Sequence, residues 1–202
     1  VYSNWTEVTL FALGILGCRG NDVTSWVNGF YRAYGPLAGG EALAAQGKVD
    51  PVLAKKIIEE LLALARRDWR GGKSVALLGS LCAQYPQAKN ALVSLIYEEE
   101  IADGFVREEV IVLLRKANQV DDLLKLACDK ELSLYYRKDA ALALTRMPGY
   151  SNQASQACLA IIEDKQFEDS YFREKESGWD WKKIDAVKAL ASLPGWSDVA
   201  AM

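Results

Sequence analysis

The chain of 202 residues contains no histidine. This excludes Ser-His-Asp and Cys-His catalysis, imidazole acid–base chemistry and imidazole metal ligation. An enzyme built on this sequence would need carboxylates, lysine, tyrosine or a bound cofactor, so the reading leans away from catalysis. A basic excess is also missing. The formal net charge is −3 and the pI about 5.2, whereas nucleic-acid binders draw much of their affinity from neutralising phosphates. Nucleic acid is therefore disfavoured as a partner. No run reaches the ~18 apolar residues that a membrane span requires. The longest apolar stretch, Val8 to Cys18, is interrupted by Thr9, Gly14 and Gly17 and reads as a buried helix. It lacks the basic start and the small-residue cleavage site of a signal peptide, and a cytoplasmic location is expected. The four cysteines (Cys18, Cys82, Cys128 and Cys158) are widely separated and form no CxxC pair. Without histidine, a zinc site would need all four to converge. Buried thiols in a reducing compartment are expected instead, with no metal and no cofactor.

Alternating β-branched runs are absent too, which leaves helices. The clearest begins at Asp50-Pro51, an N-cap followed by a residue suited to the first helical position. Leu53, Ile57, Leu61 and Leu64 then define one apolar face, and the helix closes near Arg66-Arg67, where cations favour a C-terminus. Further helices are expected over Val75–Cys82, from Pro86 through Ile96, Val106–Leu114, Val120–Cys128, Tyr135–Met147, Ala154–Ile162 and Lys182–Leu193. Pro148-Gly149 and Pro194-Gly195 close two of them. Near the start, Asn4 with Glu7 can cap a helix. A second one carries Val23, Trp26, Val27, Phe30 and Tyr31, and Gly35-Pro36 ends it. Leu37 to Gly47, rich in alanine and glycine, is read as a loose connection or a short helix.

The helices are short and paired, and a weak internal repeat runs through them. Arg107-Glu-Glu-Val110-Ile-Val-Leu113-Leu114 overlays Arg137-Lys-Asp-Ala140-Ala-Leu-Ala143-Leu144 at an offset of 30 residues. The pattern recurs 46 residues further on as Lys183-Ile-Asp-Ala186-Val-Lys-Ala189-Leu190. Lys73 to Gly79 is a looser copy, and Cys128 and Cys158 share the 30-residue spacing. This basic-x-x-small-x-x-apolar-Leu pattern, over about Asp50 to Gly195, resembles HEAT-like repeats, in particular the short kind found in the phycobilisome lyase group. The resemblance implies an all-α fold, an α-solenoid of stacked antiparallel helix pairs. Residues 1–48 are then an irregular helix pair capping the solenoid. Residues 49–202 are the repeats, with an inserted segment at about 166–181.

That segment, FEDSYFREKESGWDW from Phe167 to Trp181, places five aromatics among seven charges with a net charge of −3. Tyr171, Phe172, Arg173, Trp179, Asp180 and Trp181 are residue types typical of interface hot spots and rims, and insertions in repeat proteins often sit on the binding face. The favoured reading of the aromatics is structural: Phe167, Tyr171 and Phe172 continue the preceding helix, while Trp179 and Trp181 fold back to cover the solenoid end. Arg107, Arg137 and Lys183 fall at one repeat position. Such a row binds an anionic partner or pairs with acids such as Glu108, Asp139 and Asp185. Gly71-Gly72-Lys73-Ser74 lacks the upstream glycine and strand of a phosphate-binding loop and reads as a turn. Glu98-Glu99-Glu100 and Asp121-Asp122 read as helix-terminal acids rather than a catalytic pair.

The expected function is a non-catalytic protein-binding module or adaptor, acting on an unidentified protein through the solenoid's concave face and the aromatic-acidic insertion. The resemblance also implies two alternatives, a bilin attachment factor of the phycobilisome lyase type and a HEAT-like DNA glycosylase. Trp179-Asp180-Trp181 superficially resembles the centre of the latter, but the acidic pI opposes it. An immunity or inhibitor protein that masks a basic target is a further alternative.

Overall fold

Asp50 caps its helix as its sequence position requires: its Oδ1 accepts the N–H of Val52 at 2.6 Å, satisfying one of the free donors of the first turn. A computed structural model of the chain describes residues 4–45, 48–67, 72–98, 104–164 and 181–196. Among these, every regular element is a helix. They are α1 (Asn4–Cys18), α2 (Thr24–Tyr34), α3 (Pro36–Ala44), α4 (Pro51–Arg67), α5 (Lys73–Leu81), α6 (Pro86–Tyr97), α7 (Gly104–Lys116), α8 (Val120–Cys128), α9 (Leu134–Thr145), α10 (Ser151–Ile162) and α11 (Trp181–Ala191). The chain divides into two compact units, Val1–Leu113 and Leu114–Met202.

In the first unit, α3 is the hub. The alanine- and glycine-rich segment is an ordered helix that touches α1, α2, α4 and α5. Its composition explains the position. A methyl group added at Gly40 would stand 2.9 Å from Leu61 Cδ1, and one at Gly39 would stand 3.0 Å from Tyr31 Cβ. Only a helix without side chains at these points fits between α2 and the α4–α5 pair. Ala38, Ala42 and Leu43 complete its buried face. The connections on either side are tied together: the N–H of Val23 donates to the Lys48 carbonyl at 2.9 Å, and the N–H of Lys48 to the Asn21 carbonyl at 3.3 Å.

The burial pattern of α4 is rotated slightly from its sequence pattern. Ala54, Ile57, Ile58, Leu61 and Ala65 are buried, while Leu53 and Leu64 lie at the margin. Small residues let α5 and α6 approach, and the leucines flank the seam. Two other expectations do not hold. Trp26, assigned to the apolar face of α2, is exposed. In α1, Leu13 is buried, but Val8, Phe11 and Ile15 point away from the core, so the helix is apolar on both sides and covered on one.

In the second unit, α9 packs against α8, α10 and α11, and α10 against α8 and α11. Such surroundings leave α9 no polar face. Leu134, Ala140, Ala141, Ala143 and Leu144 are buried on several sides, and so are Arg137 and Lys138. The turns after α9 and α11 share a form. Gly149 and Gly195 have φ of 87° and 82°, a left-handed conformation that glycine adopts without steric cost. Met147 and Leu193, two residues before these glycines, are both buried.

Candidate functional site

The three bases at corresponding sequence positions make corresponding contacts. Arg107 Nη2 donates to the carbonyl of Glu98, just past the end of α6, at 2.7 Å. Arg137 Nε donates to the carbonyl of Ala127, in the last turn of α8, at 3.1 Å. Lys183 Nζ donates to the carbonyl of Asp164, just past α10, at 2.9 Å. In each case a base near the start of one helix satisfies a carbonyl at the end of the helix before it. Those carbonyls lack intrahelical donors or carry the negative end of the helix dipole. The bases therefore act as latches between successive helices. Of the acids expected beside them, Asp139 and Asp185 lie near Lys138 Nζ, at 3.3 and 3.9 Å.

Arg137 is the most enclosed of the three. Its side chain and that of Asp164 are each 2% exposed and form an ion pair through Nη1 and Oδ2. Nη2 reaches the Ala160 carbonyl at 3.4 Å. These contacts hold the guanidinium within the fold. Burial of a charge is tolerable here because it is paired and its remaining donors have acceptors. Next to it, Lys138 lies 5.0 Å from the ring centroid of Tyr135, which meets Tyr136 edge to face at 5.4 Å. Sequence reasoning found Arg137 but missed Asp164, whose place after α10 carries no signal until the two helices meet.

The acidic runs separate. Asp121 and Asp122 occupy the first turn of α8, as expected from the dipole. Glu98 takes Arg66 from α4 in a forked contact, with Nε at 2.9 and 3.0 Å from its two oxygens and Nη2 at 2.6 Å. Glu98 thereby holds the Arg66 guanidinium above the usual arginine range. Gly72 and Lys73 form the turn into α5, and Lys73 pairs with Glu41 of α3. Glu99 and Glu100 lie outside the described residues.

The side chain of Cys18 lies outside the described residues. Cys82, Cys128 and Cys158 are reduced. Burial pushes the Cys158 thiol up to about 11. Burial also raises Cys128, with the charge of Arg137 opposing it in part. Reactive cysteines show the reverse shift. Among the described residues, no group of three histidine, cysteine, aspartate or glutamate side chains gathers as a metal would require, and no helix is long and apolar enough to cross a membrane.

Of the aromatic-acidic segment, Tyr171, Phe172, Arg173, Trp179 and Asp180 lie outside the described residues, as does the side chain of Trp181. Its two attachment points are described. Asp164 is held by Arg137 and Lys183, and α11 packs on α9 and α10. An open groove of about 580 Å³ runs along α1 in the first unit, lined by Leu10, Phe11, Gly14, Ile15, Arg19, Ala44 and Ala45. Nothing in the sequence reading marked it. No protein-family model, curated protein or solved structure matches the chain.

Proposed function

We propose that the chain is a HEAT-like α-solenoid that serves as a non-catalytic protein-binding module, with the segment at 166–181 as its recognition element. One observation carries this reading. A residue two positions before the segment and one two positions after it are fastened to each other, Lys183 Nζ to the Asp164 carbonyl at 2.9 Å, and Asp164 is anchored in turn by buried Arg137. The described residues that flank a stretch with five aromatics are thus held together at one point. Recognition loops are typically carried in this way on a rigid scaffold. The helix pairs supply the scaffold, and the recurring base-to-carbonyl latches support a repeat built from one local unit. Aromatic side chains bring large contact area at low entropic cost, and the acidic residues between them favour a partner with a basic surface.

The test keeps the segment's length and replaces Phe167, Tyr171, Phe172 and Trp179 by serine, leaving Asp164 and Lys183 in place. The partner is identified by cross-linking of the intact chain, purified, and titrated calorimetrically against both proteins. Loss of stoichiometric binding in a variant with unchanged circular dichroism and melting temperature supports the reading. Unchanged affinity refutes it, as does a variant that no longer folds, because the aromatics would then belong to the core.

A further inference from the structure

The outward side of α1 carries an ordered row. Glu7, Phe11 and Ile15 of α1, and Arg19 in the turn just after it, follow at intervals of four residues, the spacing of one ridge along a helix. All four are exposed. Phe11 is 72% and Ile15 43% exposed, and neighbouring Val8 is 55% exposed. The opposite side of the same helix is seated on the core through Leu13. The row is acidic at one end, basic at the other and apolar between them. Its ends are separated by about 18 Å at 1.5 Å per residue. Beside it lies the groove whose floor includes Gly14, Ala44 and Ala45, small side chains next to a protruding phenylalanine.

We propose that this ridge is the contact surface for a second copy of the chain, with the two α1 helices antiparallel about a two-fold axis near residue 13. The row is complementary to itself in that arrangement alone. Setting Glu7 opposite Arg19 of the partner copy also sets Phe11 opposite Ile15, because both pairs are centred on the same residue. Each phenylalanine then stands over the small-residue groove of the other chain. A parallel pairing brings Glu7 to Glu7 and Arg19 to Arg19, which like-charge repulsion disfavours. An isologous interface requires this kind of self-matching. A surface made mainly of one 15-residue helix belongs to the small end of specific interfaces, so the dimer is reversible, with a Kd on the order of 10 µM.

Sedimentation velocity over a wide concentration range tests the proposal, with exchanged charges as the diagnostic. Wild type should show a monomer–dimer equilibrium. Phe11→Glu should weaken it by about tenfold or more. Glu7→Arg alone and Arg19→Glu alone should each weaken self-association, since each places like charges across the axis. Mixed together, the two single variants should form a heterodimer about as tight as the wild-type dimer, because every pair is then opposite in sign. The mixture also shows that both variants remain folded. A chain that stays monomeric throughout overturns the proposal. So does a dimer indifferent to Phe11→Glu, or a mixture that associates no better than its components. Phe11-dependent flotation with phosphatidylcholine or phosphatidylserine vesicles, in a chain that does not dimerise, would assign the ridge to a lipid surface instead.

Discussion

Arg137 of α9 and Asp164 beyond α10 form an ion pair from which water is excluded on both sides, and Arg137 Nε also holds the end of α8 through the Ala127 carbonyl. One side chain therefore joins three successive helices. A buried pair of this kind is costly to break, because the remaining charge stays in a site shielded from water. Arg137→Ala is expected to destabilise the second unit by about 3–5 kcal/mol. The double replacement Arg137→Met with Asp164→Leu should cost clearly less than the sum of the single changes. Urea unfolding of the four proteins in a double-mutant cycle measures the coupling.

Gly79 of α5 meets Leu113 closely enough that an added methyl would lie 2.7 Å from Leu113 Cδ2 and 3.0 Å from its Cγ. Alanine improves helix propensity by about 1 kcal/mol, but the clash reaches the branch point of the leucine, which cannot swing away as a chain end can. Gly79→Ala is expected to be destabilising by about 1–2 kcal/mol net. In a Gly79→Ala, Leu113→Ala double variant the loss should be smaller than the sum of the two single changes, because trimming the neighbour removes the clash. Thermal unfolding of the single and double variants reads the difference.

Cys158 keeps its proton in the folded chain up to about pH 11, against an ordinary value of 9.0, because the thiolate would have to be desolvated. Between these values the unfolded chain releases a proton that the folded chain retains. The corresponding stability is complete below pH 9 and lost as pH rises toward 11. Wild type should therefore lose more stability than Cys158→Ala between pH 8 and pH 10, as followed by urea midpoints at each pH. Parallel curves would show that the thiol does not titrate in this range.

Gly149 and Gly195 carry left-handed backbone in matching turns, with φ of 87° and 82°. Alanine at either position places a Cβ against the following carbonyl, at a cost of about 1–2 kcal/mol. The two substitutions should cost similar amounts, since none of the described residues lies within 4 Å of the added carbon at either site, which leaves backbone strain as the common effect. Calorimetric melting of Gly149→Ala and Gly195→Ala checks both the magnitude and the likeness of the two turns.

Helix identity was legible where one residue's chemistry acts within a turn of itself. Asp50 caps α4, Pro51 and Pro86 stand at first helical positions, and Pro-Gly closes α9 and α11 as anticipated. The alanine- and glycine-rich stretch from Leu37 was ambiguous because its composition suits a loose connection, and it becomes helix α3 through the close contacts that glycine permits. Trp26 was misplaced for the opposite reason: helical periodicity identifies an apolar face without telling whether a neighbour reaches every residue on it. Of the candidate site, the bases at 107, 137 and 183 could be aligned from sequence, but their role could not. A base three residues before a small one looks the same whether it faces solvent or a carbonyl.

The sequence by itself determined an all-helical chain, its principal breaks, and the absence of imidazole chemistry, because these follow from local backbone preference and from composition. Tertiary structure alone decided that Arg137 is buried against Asp164, that α3 is the hub of the first unit, and that no described residue of that unit covers Phe11 on α1. Each of these depends on which distant surfaces meet. The hydrophobic effect rewards any apolar surface removed from water without specifying its partner, so that choice rests on packing geometry rather than on local sequence.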